Sequence, residues 1–247
     1  MALVPLNKST TKHLPSFLFH GTVTLYVGPN HKRMEIHKKL LASISPELNK
    51  HVNNHMREGI EGKIRLPDEE EEVLTLFTEW AYTGDYAQED GTRLAKDRSY
   101  MEQTQDPWSS LHKHLQLYAF ADKFNVAILK QLAESKFHTE IDPIEPSSSR
   151  DVCGLVMVIR YAYDNLPSSD PILKFLAQYA SWKLDLLRTS KRFNKLLLSQ
   201  PDFLKELLMN LQGRRAKPAA PQKRPTYERD EGRPYRTTAI LIASRVY

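Results

Sequence analysis

The 247-residue chain has a single cysteine, Cys153, and only nine glycines. One cysteine excludes an intrachain disulfide, a C-x-x-C redox pair and a cysteine-rich zinc site. Its place in the apolar run 152–159 reads as that of a small buried hydrophobe. No glycine is followed by another two residues on, so a G-x-G-x-x-G nucleotide loop is excluded. Gly59 and Gly62 precede Lys63, but without the spacing or the Ser/Thr of a phosphate-binding loop. A G-x-S-x-G nucleophile elbow is absent as well. Long hydrophobic runs are also missing. The run 152–159 ends at Arg160, and nothing approaches the roughly 18 apolar residues of a membrane helix. Residues 1–8 lack the apolar stretch of a secretory leader. A reducing compartment, nucleus and/or cytoplasm, is therefore expected, with no membrane partner.

With 40% apolar and 26% charged residues, the chain has the composition of a folded globular protein rather than a disordered one. Its net charge of +5 invites a nucleic-acid reading. The charge is local, however. Residues 213–247 hold nine Lys/Arg against three acids, a net +6. Subtraction from 35 basic and 30 acidic side chains leaves 26 against 27, or −1, on residues 1–212. The basicity belongs to the tail, where Pro and Arg dominate and disorder is expected. Within it Arg214, Arg215, Lys223 and Arg224 form a candidate nuclear-import patch. Residues 239–243 (AILIA) form an apolar plug.

The body reads as α+β. Residues 22–37 alternate as a hairpin around the turn Gly28-Pro29-Asn30, with one apolar face. Two short helices follow at 37–43 and 45–53, the second with Ser45 as N-cap and Pro46 at its first position. A brief strand is expected at 63–67. Asp68, with Glu71 three residues on, reads as the N-cap of a helix carrying Val73, Leu76, Phe77, Trp80 and Ala81 and stopped by Gly84. Residues 88–109 lack periodicity and read as an inserted loop. A helix at 111–124 is apolar on most sides, Asn125 punctuates it, and a second runs over 126–137. Residues 143–149 (PIEPSSS) have linker composition. Helices are then expected at 151–163, 170–187, 191–198 and 201–211.

Catalytic constellations are wanting. His51 and His55 share a helix face, but no Glu beside the first and no third ligand accompany them. His112 and His114 point to different sides of their helix. His37 could serve as a general base, yet no nucleophile or oxyanion donor is placed with it. No enzymatic activity, cofactor or metal is expected.

The order of hairpin, two short helices, strand, long helix and helix pair resembles that of a BTB/POZ domain, and the residues resemble its motifs. Met34-Glu35-Ile36-His37-Lys38-Lys39-Leu40-Leu41-Ala42-Ser43-Ile44-Ser45-Pro46 is similar to the family's "V-H-K-x-L-L-x-x-S-P" segment. Ile64-Arg65-Leu66-Pro67-Asp68 and Phe77-Thr78-Glu79-Trp80-Ala81-Tyr82-Thr83-Gly84 are similar to "I-x-L-P-x-D … F-x-x-W-x-Y-T-G". Leu117-Tyr118-Ala119-Phe120-Ala121-Asp122-Lys123-Phe124-Asn125-Val126 is similar to "Y-x-x-A-D-K-Y-x-V". The insertion after Tyr82-Thr83-Gly84 and the later Ala180-Ser181-Trp182-Lys183-Leu184 resemble stand-alone fungal members.

This resemblance implies a BTB/POZ fold, a small sheet covered by α-helices, followed by a helical extension and a disordered basic tail. The implied division is a lead at 1–16, the BTB/POZ domain at 17–138 with the loop 88–109, a linker at 139–150, an extension at 151–212 and the tail at 213–247. The implied function is protein–protein interaction: self-association, or bringing substrates to a cullin-based ubiquitin ligase. The residues implied for contact are Lys38, Tyr82, Tyr86 and Glu89. One departure is Thr22, which stands where transcription-factor relatives carry an Asp that pairs with the Lys after the signature His. The alternative reading is a nuclear chromatin- or nucleic-acid-associated protein acting through the tail.

Overall fold

The computed structural model describes residues 16–53, 62–86, 106–211 and 216–219. The protein is α+β and mostly helical, with one three-stranded sheet. The described residues fall into two compact units. One holds those up to Glu71 together with Ala81–Asp85; the other holds Glu72–Trp80 and those from Tyr86 onward.

The first unit is built on a sheet of order β2-β1-β3. β1 (Thr22–Val27) and β2 (Lys32–His37) pair antiparallel, with Thr22 opposite His37 and Val27 opposite Lys32. The loop between them turns on two left-handed residues, Gly28 at φ 68° and His31 at φ 51°. β3 (Lys63–Leu66) pairs parallel with β1, Thr24 opposite Lys63 and Val27 opposite Leu66. A parallel neighbour requires a crossover, and α1 (Lys38–Ile44) and α2 (Pro46–Asn53) lie in it. The alternation within β1 buries Val23, Leu25 and Val27; Ile36, Leu40, Leu41, Leu48, Val52, Ile64 and Leu66 are buried too. Ser45 caps α2 as the sequence suggests, its hydroxyl accepting from the Leu48 amide at 3.0 Å.

The long helix α3 (Glu71–Thr83) starts three residues after the expected Asp68. Residues 67–70 are spent in a turn, the Glu69 amide donating to the Leu66 carbonyl at 3.3 Å. Glu71 and Glu72 still occupy the positive end of the helix dipole. Gly84, at φ 83°, ends it as expected. Val73, Phe77, Trp80 and Ala81 are buried as expected, and Leu74 is fully buried where Leu76 is only half-buried, so the core stripe keeps its register and exchanges one member.

The second unit is helical. α4 (Pro107–Lys123) begins inside the stretch read as loop, because Asp106 caps it and Pro107 takes its first position. α5 (Ala127–Ile141) follows a left-handed Asn125 at φ 52° and runs four residues past the expected end. α6 (Ser149–Asn165), α7 (Pro171–Trp182), α8 (Leu184–Leu187), α9 (Lys191–Ser199) and α10 (Pro201–Asn210) complete it.

One apolar cluster unites these helices. It takes Trp108, Leu111, Leu115 and Tyr118 from α4, Ala133, Phe137 and Ile141 from α5, and continues through Leu155, Leu176, Phe193 and Phe203. Residues 139–150, expected as a linker between domains, therefore connect helices that share one core. Pro146 is buried, and the Tyr179 hydroxyl donates to the Ile144 carbonyl at 2.8 Å. Ser148 and Asp151 form a capping box that starts α6 directly after the connection. The Pro/Ser composition marks a tight helix-to-helix connection here. Part of the expected disordered tail is also placed: Pro218 is buried, and Lys217 donates to the Asp142 carbonyl and lies 5.5 Å from the centre of the Trp182 ring.

No helix among the described residues is long and apolar enough to cross a membrane.

Candidate functional site

In the first unit the end of β2 and the end of α3 bring His37 and Tyr82 together. The Tyr82 hydroxyl accepts from the His37 amide at 3.1 Å and meets His37 Nδ1 at 2.6 Å, and the rings meet edge to face at 5.7 Å. Both residues are half-buried. A histidine held by a phenol and its own backbone fixes the strand-to-helix corner; nothing in this geometry supplies a substrate position. Lys38, the next residue, is half-buried, and its amide donates to the Gly21 carbonyl at 3.0 Å. Thr22 donates to Glu35 Oε2 at 3.3 Å across the hairpin.

Tyr86, expected to supply contact area, is instead 1% exposed. Its hydroxyl lies 2.8 Å from His114 Nδ1, and His114 Nε2 lies 2.8 Å from Glu140 Oε1. Ser110 donates to the other Glu140 oxygen at 2.8 Å. The two ring nitrogens of His114 thus face different partners, Nδ1 the Tyr86 hydroxyl and Nε2 the Glu140 carboxyl. Burial pushes the Glu140 carboxyl up, but hydrogen bonding and electrostatic attraction to His114, the bond from Ser110 and the charge of Lys136 outweigh it and hold its pKa below the usual carboxylate value. Lys136 also donates to the Tyr86 carbonyl at 2.6 Å and stands 4.1 Å over its ring. The hydroxyl and the carbonyl of Tyr86 are thus both engaged inside the helical unit, and its side chain is structural. Short-range sequence gives no sign of this, because its partners lie 28 and 50 residues away.

A second buried pair joins α4 to the start of α7. The Tyr118 hydroxyl donates to Asp170 Oδ2 at 2.8 Å while Asp170 Oδ1 accepts from the Ile172 amide at 3.0 Å. Burial, then the bond to Asp170, pushes the Tyr118 phenol far up, so it stays a donor. His112 stacks edge to face on Tyr161 at 4.7 Å and does not converge with His114, as expected from their spacing.

Glu89, Arg214, Arg215, Lys223 and Arg224 lie outside the described residues, as do His55 and the plug 239–243. Among the described residues no group of three or more His, Cys, Asp or Glu could hold a metal.

Cys153 departs from its expected burial. It is half-exposed, and the Arg192 guanidinium donates to its sulfur. It lines a cleft with Val156, Met157, Arg160, Arg192 and Lys195. The residues come from two helices far apart in sequence, which is why the cleft is not legible as a motif. The available signal is Cys153, Met157 and Arg160 at i, i+4 and i+7 on one face of α6.

No protein-family model matches the sequence, and no curated protein matches it.

Proposed function

We propose that the chain is a protein–protein interaction scaffold of BTB/POZ type that brings substrates to a cullin-based ubiquitin ligase. The observation that carries this reading is the order of elements. Hairpin, two short helices, a crossover strand, a long helix and a helix pair follow one another from Thr22 to Ile141. The quoted motifs fall on these elements in sequence, with the His-Lys motif at the junction of β2 and α1 and the Trp80-Ala81-Tyr82-Thr83-Gly84 motif at the end of α3. Most of the motif residues are core or corner residues, so they support the fold before they support any partner.

The test is titration of the full chain with the purified amino-terminal region of a cullin, alongside light scattering of the chain alone. Saturable binding is expected, weakened by Tyr82→Ala and untouched by Tyr86→Phe, since Tyr86 faces the interior. No binding at about 50 μM would overturn the adaptor reading.

The concentration of charge in residues 213–247, +6 against −1 for the rest, favours a second reading, association with nucleic acid through the tail. Deletion of those residues should then abolish DNA binding and its steep salt dependence. Unchanged affinity would exclude it.

A further inference from the structure

Helices α6 and α9 run in the same direction. Arg192, near the start of α9, reaches Cys153 near the start of α6, and Gln200, just past the end of α9, donates to Asp164 near the end of α6. The cleft lined by Cys153, Val156, Met157, Arg160, Arg192 and Lys195 has a volume of ≈ 220 Å³. Three of its six lining residues are cations and none is acidic. Among the described residues, Arg160, Arg192 and Lys195 have no carboxylate partner. Met157 leaves 51% of its surface to solvent beside Val156, an apolar spot between the charges.

We propose that this cleft binds an acidic peptide of a partner protein, with one apolar side chain seated on Val156 and Met157 and flanking carboxylates paired with Arg160, Arg192 and Lys195. Three observations select this occupant. The volume is below the roughly 300–1,000 Å³ of small-molecule pockets and suits a single side chain. The lining has no aromatic ring on which a nucleic-acid base could stack. Two of the three cations are arginines, whose planar forks match carboxylates, and the methionine adapts to varied apolar shapes. The proposal gives the scaffold reading its recruited partner and rests on that reading for its biological sense. Peptide binding is measured without cullin, so either can fail alone.

Cys153 is the chain's only cysteine, so its alkylation by a fluorescent maleimide reports this cleft and no other place. Three synthetic peptides of equal length are titrated into the full chain: a leucine flanked on each side by two glutamates, an alanine in the same frame, and the leucine flanked by lysines. The glutamate–leucine peptide should bind, more weakly at high salt, and protect Cys153. The alanine peptide should bind about tenfold more weakly or worse, and the lysine peptide not at all. The double variant Arg160→Glu, Lys195→Glu changes exposed residues. It should keep the melting temperature while weakening the first peptide by about tenfold or more and restoring alkylation. Equal binding of the leucine and alanine peptides would overturn the proposal. So would binding that leaves Cys153 alkylation unchanged, or equal protection by a single-stranded oligonucleotide.

Discussion

The two units of this protein keep different things in their interiors. Among the described residues, the only buried polar side chain of the sheet-containing unit is Ser45, which caps a helix. The helical unit buries His114, Gln116, His138, Asp170 and Ser181. The contrast follows from how each architecture is aligned. A hairpin's ladder is held in register by its turn and by the alternation that points Val23, Leu25 and Val27 to one face, here from Thr22–His37 to Val27–Lys32, so its apolar face needs only to be covered. Packed helices share no such ladder, and their apolar stripes tolerate sliding. The bonds Tyr118–Asp170, Tyr86–His114 and His114–Glu140 are satisfied only in one alignment. Buried polar groups of this kind rigidify a core when complete and are costly when one partner is lost.

The largest break in this pattern should come from Asp170→Ala. It removes the cap of α7 and leaves the Tyr118 hydroxyl without its acceptor. A lost cap costs about 1 kcal/mol and an orphaned buried donor about 1–3. Chemical denaturation should therefore show a loss of roughly 3 kcal/mol, and a loss under about 1 kcal/mol would mean that the pair does not order the helices.

His138 sharpens the same contrast through pH. It is 7% exposed, edge to face with Phe175 at 4.5 Å, and among the described residues its Nδ1 has no hydrogen-bond partner. Burial lowers its pKa from 6.5 to about 4. Because the folded value is depressed, the unfolded chain takes up the proton first. The stability at stake is full above pH ~6.5 and is lost as pH falls, levelling off below pH ~4. A shift of this size corresponds to at most about 3 kcal/mol. Glu134, raised by burial and by Asp170, acts in the opposite sense above the ordinary carboxylate value of 4.5. The discriminating measurement is the difference between wild type and His138→Leu across pH 4–7. Equal slopes would show that His138 is not the sensor.

Tyr86→Phe should cost about 1–2 kcal/mol, since it strands His114 Nδ1 in the core. Partner binding should not change. Weakened binding without loss of stability would return Tyr86 to the surface.

What the sequence discloses divides along the same line. The hairpin, the strand at Lys63–Leu66 and the Ser45-Pro46 helix start are local patterns, and local patterns are what a single sequence carries. Asp106-Pro107 has the same grammar as Ser45-Pro46, yet it sits at the end of an aperiodic stretch and is readily absorbed into a loop that ends at 109. The Pro/Ser connection at 143–149 looks like a domain boundary because composition reports flexibility, whereas Ile141, Val152 and Tyr179 make it part of one core. Tyr86 and the cleft around Cys153 depend on partners tens of residues away, and no periodicity encodes which helix faces which. Of the residues expected to make contacts, Tyr82 and Lys38 fall at a structured corner; the interior claims Tyr86.

The smallest effect tests the sheet side of the comparison. Ser45 is fully buried and gives its oxygen to the Leu48 amide, so Ser45→Ala loses a cap and should cost about 1 kcal/mol. Unlike the His138 effect, this loss involves no titrating side chain and should be the same at pH 5 and pH 7. Hydrogen exchange can locate it: the amides of α2 should lose protection while those of α5 keep theirs. A pH-dependent loss, or one spread over the helical amides, would mean that the sheet unit also relies on a buried polar network. The contrast between the two interiors would then be one of degree only.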